Sequence, residues 1–168
     1  MTAAAVLLGV VTAERLGELW LARRNTAALM AKGAFEVAPE HYLVIVLLHA
    51  FWLGGLWLIG WANPLGLGWL VIFLGLQGLR LWVLFTLGRR WTTRIIILPG
   101  APLVAAGPYR HLSHPNYLIV VGEIAVLPLC LGLPWYALAF SAANAAVLAI
   151  RIRAENAALA GLRQAATS

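Results

Sequence analysis

Aspartate is absent from this chain of 168 residues, lysine occurs once (Lys32), cysteine once (Cys130) and methionine twice, and only 11% of the residues are charged. An ordinary soluble domain is about one quarter charged and about half apolar. At 62% hydrophobic residues and a mean hydropathy of +0.87, the chain is neither a water-soluble globule nor a disordered tail. A single cysteine inside an apolar run excludes an intrachain disulfide framework and fixes no redox compartment. The net charge of +6 comes from eleven arginines and Lys32 against six glutamates. These charges are scattered between apolar runs instead of being gathered on one solvated face, which excludes nucleic acid as a partner.

What the chain has is a succession of apolar runs, and at about 20 residues per span they predict an all-α integral membrane protein with about five transmembrane helices. The runs are Ala3 to Leu21, interrupted by Glu14, Arg15 and Glu18, then Tyr42 to Trp61, Leu65 to Leu87, Leu118 to Leu133 and Pro134 to Ile150. No Lys or Arg precedes the first run, so it lacks the positive leader of a secretory signal and is expected as a retained helix. Basic residues follow the first run (Arg23, Arg24, Lys32), the third (Arg89, Arg90, Arg94, Arg110) and the fifth (Arg151, Arg153, Arg163). The other two connections carry none. The positive-inside rule then predicts an N-terminus outside and a C-terminus in the cytoplasm. Trp20, Trp61, Trp69, Trp91 and Trp135 lie near the expected span ends, as interfacial anchors do.

One membrane domain is expected throughout: three spans in residues 1–87, a cytoplasmic loop in 88–117, a two-helix hairpin in 118–150 and a cytoplasmic helix in 151–168. Polar chemistry is concentrated in that loop and in the C-terminal segment. The loop runs from Arg89-Arg90-Trp91-Thr92-Thr93-Arg94 through the apolar Ile95 to Leu98 to Gly107-Pro108-Tyr109-Arg110 and His114-Pro115-Asn116-Tyr117. Its Gly and Pro punctuation suits it to present backbone groups to a polar ligand. The third and fifth spans deliver both segments to one face.

The run Gly107-Pro108-Tyr109-Arg110, three residues, His114-Pro115-Asn116-Tyr117, followed by Arg151-x-x-x-Glu155, resembles the isoprenylcysteine carboxyl methyltransferase family of membrane enzymes. Two positions depart from the wider pattern: Ser113 stands where an Arg usually precedes the His-Pro, and Asn156 follows Glu155 where a second Glu is common. Glu14-Arg15, Arg23-Arg24-Asn25, Lys32-Gly33-Ala34, His41-Tyr42, Trp91-Thr92 and Leu98-Pro99-Gly100-Ala101 are similar to a bacterial branch found beside type III polyketide synthases. The resemblance implies S-adenosylmethionine-dependent O-methylation of a lipophilic acceptor entering from the bilayer, an alkylpyrone or alkylresorcinol before a prenylcysteine, at the cytoplasmic face of a bacterial inner membrane. It also implies that Leu103, Val104, Tyr109, His114, Pro115, Tyr117 and Glu155 line the cofactor and that Arg151 faces the substrate.

Each residue also has a plainer explanation. Arg151 and Glu155 are about 6 Å apart along a helix and could be a surface ion pair worth well under 1 kcal/mol. His114 could cap and pack the start of the fourth helix. No metal is expected, since His111, His114 and Cys130 lack a four-ligand spacing. Glu123 sits inside the fourth span, where a carboxylate is costly unless paired or working. Seven residues beyond Asn116, it shares that residue's helix face and is expected to look toward the loop as a base for a phenolic acceptor. The alternative is an ion pair with Arg80 or Arg15. Two other classes compete: a small transporter subunit, disfavoured by the absence of inverted repeats, and a sterol-type reductase using a nicotinamide cofactor.

Overall fold

A computed structural model of the chain describes residues 2–102 and 104–165. Five helices carry the fold: α1 (Ala3–Met30), α2 (Glu40–Ile59), α3 (Leu67–Leu87), α4 (Pro115–Cys130) and α5 (Pro134–Ala165). Two three-residue strands, β1 (Phe35–Val37) and β2 (Ile95–Ile97), are added to them, and two 3-10 turns cover 88–90 and 107–110. Local chemistry sets the helix ends. The Thr2 hydroxyl caps α1 by accepting from the Ala5 amide at 3.1 Å. Pro115 and Pro134 stand at the first positions of α4 and α5, where their fixed φ fits and no amide is missed.

The helices alternate in direction. At one end the Thr2 hydroxyl donates to the Trp61 carbonyl, the Asn63 amide donates to the Leu131 carbonyl at 2.8 Å, and the Gly66 N–H donates to the Cys130 carbonyl at 2.8 Å. The start of α1 and the α2–α3 and α4–α5 turns therefore meet there. At the other end Asn25 of α1 donates to the carbonyls of Gly88 and Trp91, at 3.1 and 2.8 Å, and Arg151 of α5 reaches the Thr93 carbonyl. Residues 88–93 of the loop are thus gathered at the exits of α1, α3 and α5.

Three helices, α2, α3 and α5, are long and apolar enough to cross a membrane, and α4 is a shorter apolar helix of 16 residues. Leu58, Phe85 and Trp135 are each more than four fifths exposed, so the apolar surplus faces outward, as lipid requires of an integral membrane protein. Inside, Leu8, Trp52, Leu56, Phe73, Ile124 and Leu127 form the main core. Gly122 lets α4 lie close on α3, since a Cβ there would meet the Leu76 side chain.

Several boundaries differ from the sequence reading. Helix α1 continues nine residues past Leu21 to Met30, because nothing in Ala22 to Leu29 breaks a helix and Asn25 finds partners in the loop. The C-terminal segment does continue the fifth span, as one helix to Ala165. Trp91 is not an interfacial anchor: it is 2% exposed and packs with Ala22, Val83 and Ile119 in a second small core. Within the Ile95 to Leu98 run, Ile95–Ile97 is a strand, antiparallel to β1 with Phe35 opposite Ile97 and Val37 opposite Ile95.

Candidate active site

The loop is fastened at several points. Arg94 Nη1 donates to both carboxylate oxygens of Glu36 on β1, at 2.9 and 2.7 Å, and its guanidinium carbon lies 4.1 Å from the centroid of the Tyr42 ring. Arg90 Nη1 donates to the Pro102 carbonyl at 2.6 Å. Gly107 opens the second 3-10 turn at φ +54°, and a Cβ on it would meet Thr86 Oγ1 of α3. Glycine is required there on both counts, conformation and space.

These ties enclose a cavity of about 620 Å³ between the loop, α4 and the outer half of α5. Its wall is apolar at Leu29, Leu87, Ile95 and Leu98 and polar at Tyr109, His114, Asn116, Tyr117, Arg151 and Glu155. The two motifs, about 40 residues apart in sequence, therefore do share one cavity. Val104 also reaches the wall. Pro115 is buried at the start of α4 and is not on the wall, and Leu103 lies outside the described residues.

Arg151 and Glu155 do not form the direct ion pair of the plainer explanation. The Tyr117 hydroxyl stands between them, donating to Glu155 Oε2 and accepting from Arg151 Nε at 3.1 Å. Arg151 is buried and also donates through Nη2 to the Thr93 carbonyl at 2.5 Å, so it is a strut between α5 and the loop as well as a cavity group. A surface ion pair is excluded by that burial. His114 Nε2 is 3.2 Å from Asn156 Oδ1, and its Nδ1 is 3.9 Å from Glu155 Oε2. Burial, with a smaller contribution from the Glu155 carboxylate, pushes the Tyr109 phenol up to about 12, so it remains a neutral hydrogen-bonding group at ordinary pH. Asn116 Oδ1 is buried without a partner while its residue lines the cavity. Its place between His114 and Tyr117 was the available signal. Arg90, Thr92 and the Ile95 to Leu98 run were legible as parts of the loop but not as groups lining a cavity.

Glu123 lies elsewhere. Seven residues along α4 puts it about 10 Å deeper in the bundle than Asn116, and its carboxylate is turned to α1 and α3 rather than to the loop. It accepts from Arg80 Nε at 2.8 Å and from Arg80 Nη2, from Arg15 Nη2 at 2.9 Å and from Gln77 Nε2 at 2.8 Å. Arg80 Nη1 bridges on to Glu18 at 2.8 and 2.9 Å, and Arg15 closes the ring on Glu18 at 2.7 Å. Two guanidiniums and two carboxylates make a neutral, hydrogen-bonded cluster across three helices. His49 and His41 stand outside the cavity too; the His49 ring bonds the Ile45 carbonyl at 2.8 Å. No group of three metal-ligating side chains occurs among the described residues.

Comparison with known proteins gives one family: the model of the isoprenylcysteine carboxyl methyltransferase (ICMT) family matches residues 69–161. Over 159 residues the chain is 35% identical to the uncharacterized protein YpbQ of Bacillus subtilis, covering 92% of this chain and 95% of that protein. An uncharacterized protein of Haemophilus influenzae is 26% identical over 174 aligned positions, covering 94% of this chain and 95% of its own. No solved structure matches. The matched residues run from α3 through the loop to the outer half of α5, and so contain the cavity's polar wall.

Proposed function

The chain belongs to the isoprenylcysteine carboxyl methyltransferase family, and from that membership and the polar wall of the cavity we propose that it is an S-adenosylmethionine-dependent O-methyltransferase for a lipophilic acceptor. One observation carries the reading: the Gly107 to Tyr117 motif and the Arg151/Glu155 pair face one cavity large enough for a nucleoside-sized ligand, about 620 Å³ against the roughly 300–1,000 Å³ usual for such sites. The residues present fit the cofactor. Asn116 Oδ1, buried and unpartnered at the cavity, is an acceptor in need of an N–H or O–H. Glu155 is a carboxylate for an amino or ribose hydroxyl group, and Tyr109 and Val104 supply less polar surface.

When bound, S-adenosylmethionine supplies a methyl group on a sulfonium, and the protein's task is mainly to align an oxygen with it. Arg151 presents a planar fork to an acceptor oxygen and is itself fixed by Thr93 and Tyr117. The apolar wall of β2 suits an alkyl chain. A phenolic or enolic acceptor, of the alkylresorcinol or alkylpyrone kind, must also lose a proton. His114, with Glu155 beside it, is the proton acceptor at the cavity, whereas Glu123 is spent on arginines. The loop end of the bundle faces the cytoplasm in this reading, because that end carries Arg23 and Arg24 of α1 with Lys32, Arg89, Arg90 and Arg94, and the opposite turns carry no Lys or Arg. Five helices then cross a bacterial inner membrane, with Arg15 and Glu18 of α1 paired inside the bundle.

The deciding experiment titrates purified protein in neutral detergent with S-adenosylmethionine and, separately, with NADPH, and then offers it an alkylresorcinol, an alkylpyrone and a prenylcysteine. Saturable binding of the first cofactor alone, and methylation of the resorcinol or pyrone, is expected. Binding of NADPH alone would replace the reading with a reductase; methylation of the prenylcysteine alone would replace the acceptor.

A further inference from the structure

Beside the large cavity lies a second one of about 280 Å³, walled by Ala22, Ala27 and five polar residues: Arg23 and Thr26 of α1, Tyr42 of α2, and Thr93 and Arg94 of the loop. Its wall offers two guanidiniums and three hydroxyls and no carboxylate. Such a donor set is complementary to an oxyanion and to little else. Both cations have capacity to spare. Arg23 is exposed and has no ion-pair partner among the described residues, and Arg94 uses only Nη1 on Glu36, leaving Nε and Nη2.

The position of the cavity narrows the choice of oxyanion. It sits at the loop end of α1, where Trp20 is 65% exposed and the Arg24 guanidinium carbon lies 5.8 Å from the Trp20 ring centroid. An exposed tryptophan with arginines one turn further on marks the level of lipid head groups. We propose that this cavity binds the phosphate of an anionic membrane lipid, with Arg23 and Arg94 on its oxygens and the hydroxyls of Thr26 and Tyr42 completing the set. The site bears on its neighbour. Arg94 walls both cavities, and the adjacent Thr93 carbonyl holds Arg151, so a phosphate on Arg94 steadies the segment that positions Arg151. The binding itself is independent of whether the larger cavity takes S-adenosylmethionine.

The test uses the full chain in neutral detergent, followed by its tryptophan fluorescence during titration with dioctanoyl phosphatidylglycerol, dioctanoyl phosphatidylcholine or sodium phosphate. Saturable binding of phosphatidylglycerol in preference to the zwitterionic lipid is expected, weakened about fivefold or more in Arg23→Gln, with Arg23→Lys retaining part of it. Arg23→Gln should keep the wild-type melting temperature and the wild-type response to S-adenosylmethionine, because Arg23 is exposed and outside the large cavity. Equal binding of phosphatidylglycerol by wild type and Arg23→Gln would overturn the site, as would equal binding of the two lipids. Saturation by sodium phosphate at the same concentration would overturn the lipid as its source.

Discussion

Replacing Glu123 by glutamine changes one atom group and separates two roles for this residue. The wild-type carboxylate accepts four hydrogen bonds from Arg80, Arg15 and Gln77. Glutamine keeps one acceptor oxygen, turns an NH₂ toward those donors, and leaves Arg15 and Arg80 facing Glu18 alone, a net positive charge inside the bundle. Removing one partner from a buried ion pair costs about 3–5 kcal/mol. Most of that should appear here, since Glu123 and Arg80 are only 3% and 5% exposed. The assay is unfolding of the solubilised protein in a detergent series, read by tryptophan fluorescence, beside turnover per folded molecule between pH 6 and 9. Glu123→Gln should lower the unfolding midpoint strongly while the pH profile of the folded fraction stays that of wild type. A double variant, Glu123→Met with Arg80→Met, should be more stable than Glu123→Gln, because it removes one charge of each sign and leaves the Arg15–Glu18 pair, 2.7 Å apart, intact. An unchanged midpoint with turnover lost at pH 7 and restored at pH 9 would refute the argument and return Glu123 to the reaction as its base.

Glu155→Gln should cut methyl transfer by about 100-fold or more with the unfolding free energy within about 0.5 kcal/mol of wild type, whereas Arg151→Ala should abolish transfer and also cost about 1–3 kcal/mol, because it strands the Thr93 carbonyl; full activity in both variants would remove them from the site. Gly107→Ala should destabilise by about 1–2 kcal/mol through its positive φ and abolish S-adenosylmethionine binding by pushing the turn off Thr86, which isothermal titration checks. Tyr109 is raised in the folded state to about 12 from an ordinary value near 10. The unfolded chain therefore releases this proton first, and the associated stability, complete below about pH 10, is lost as pH rises through 12. Melting temperatures of Tyr109→Phe should consequently fall less steeply than those of wild type over that window, and parallel slopes would contradict the burial of the phenol.

The helices were legible because apolar runs of membrane length leave little choice, and so was the meeting of the Gly107 to Tyr117 motif with Arg151 and Glu155, which follows from helices that alternate. What was not legible depended on partners far along the chain. Phe35–Val37 has three residues and no period, and it becomes a strand only because Ile95–Ile97 lies beside it, 60 positions later. Trp91 reads as an anchor from its place after a span, yet the two carbonyls held by Asn25 fold that turn back onto the bundle and bury it. For Glu123 the helical arithmetic was sound and the conclusion was not. Asn116 and Glu123 do lie on one face of α4, but that face meets the cavity at one level and α1 with α3 at the other, and no local pattern tells where the change occurs. Arg151 and Glu155 were placed on one face correctly; the Tyr117 hydroxyl between them was invisible because it arrives from another helix.

The scarcity of acids in this chain finally bears on how the cavity must work. Glu18 and Glu123 are committed to the buried arginine cluster and Glu36 to Arg94. Glu155 is the one carboxylate on the described wall of the large cavity, against Arg90, Arg94 and Arg151. A cationic ligand group therefore has a single place where its charge is opposed, Glu155, and an anionic oxygen has Arg151 one turn away on the same helix, with Arg90 and Arg94 on the loop. Two reacting groups of opposite charge are drawn to neighbouring positions by that asymmetry, with Arg151 and Glu155 only one helical turn apart and Tyr117 holding both. Exchanging the two residues, Arg151→Glu with Glu155→Arg, conserves composition and net charge but inverts the asymmetry, so it should bind neither group well. Wild-type binding of S-adenosylmethionine by that exchange variant would show that charge placement does not order the site.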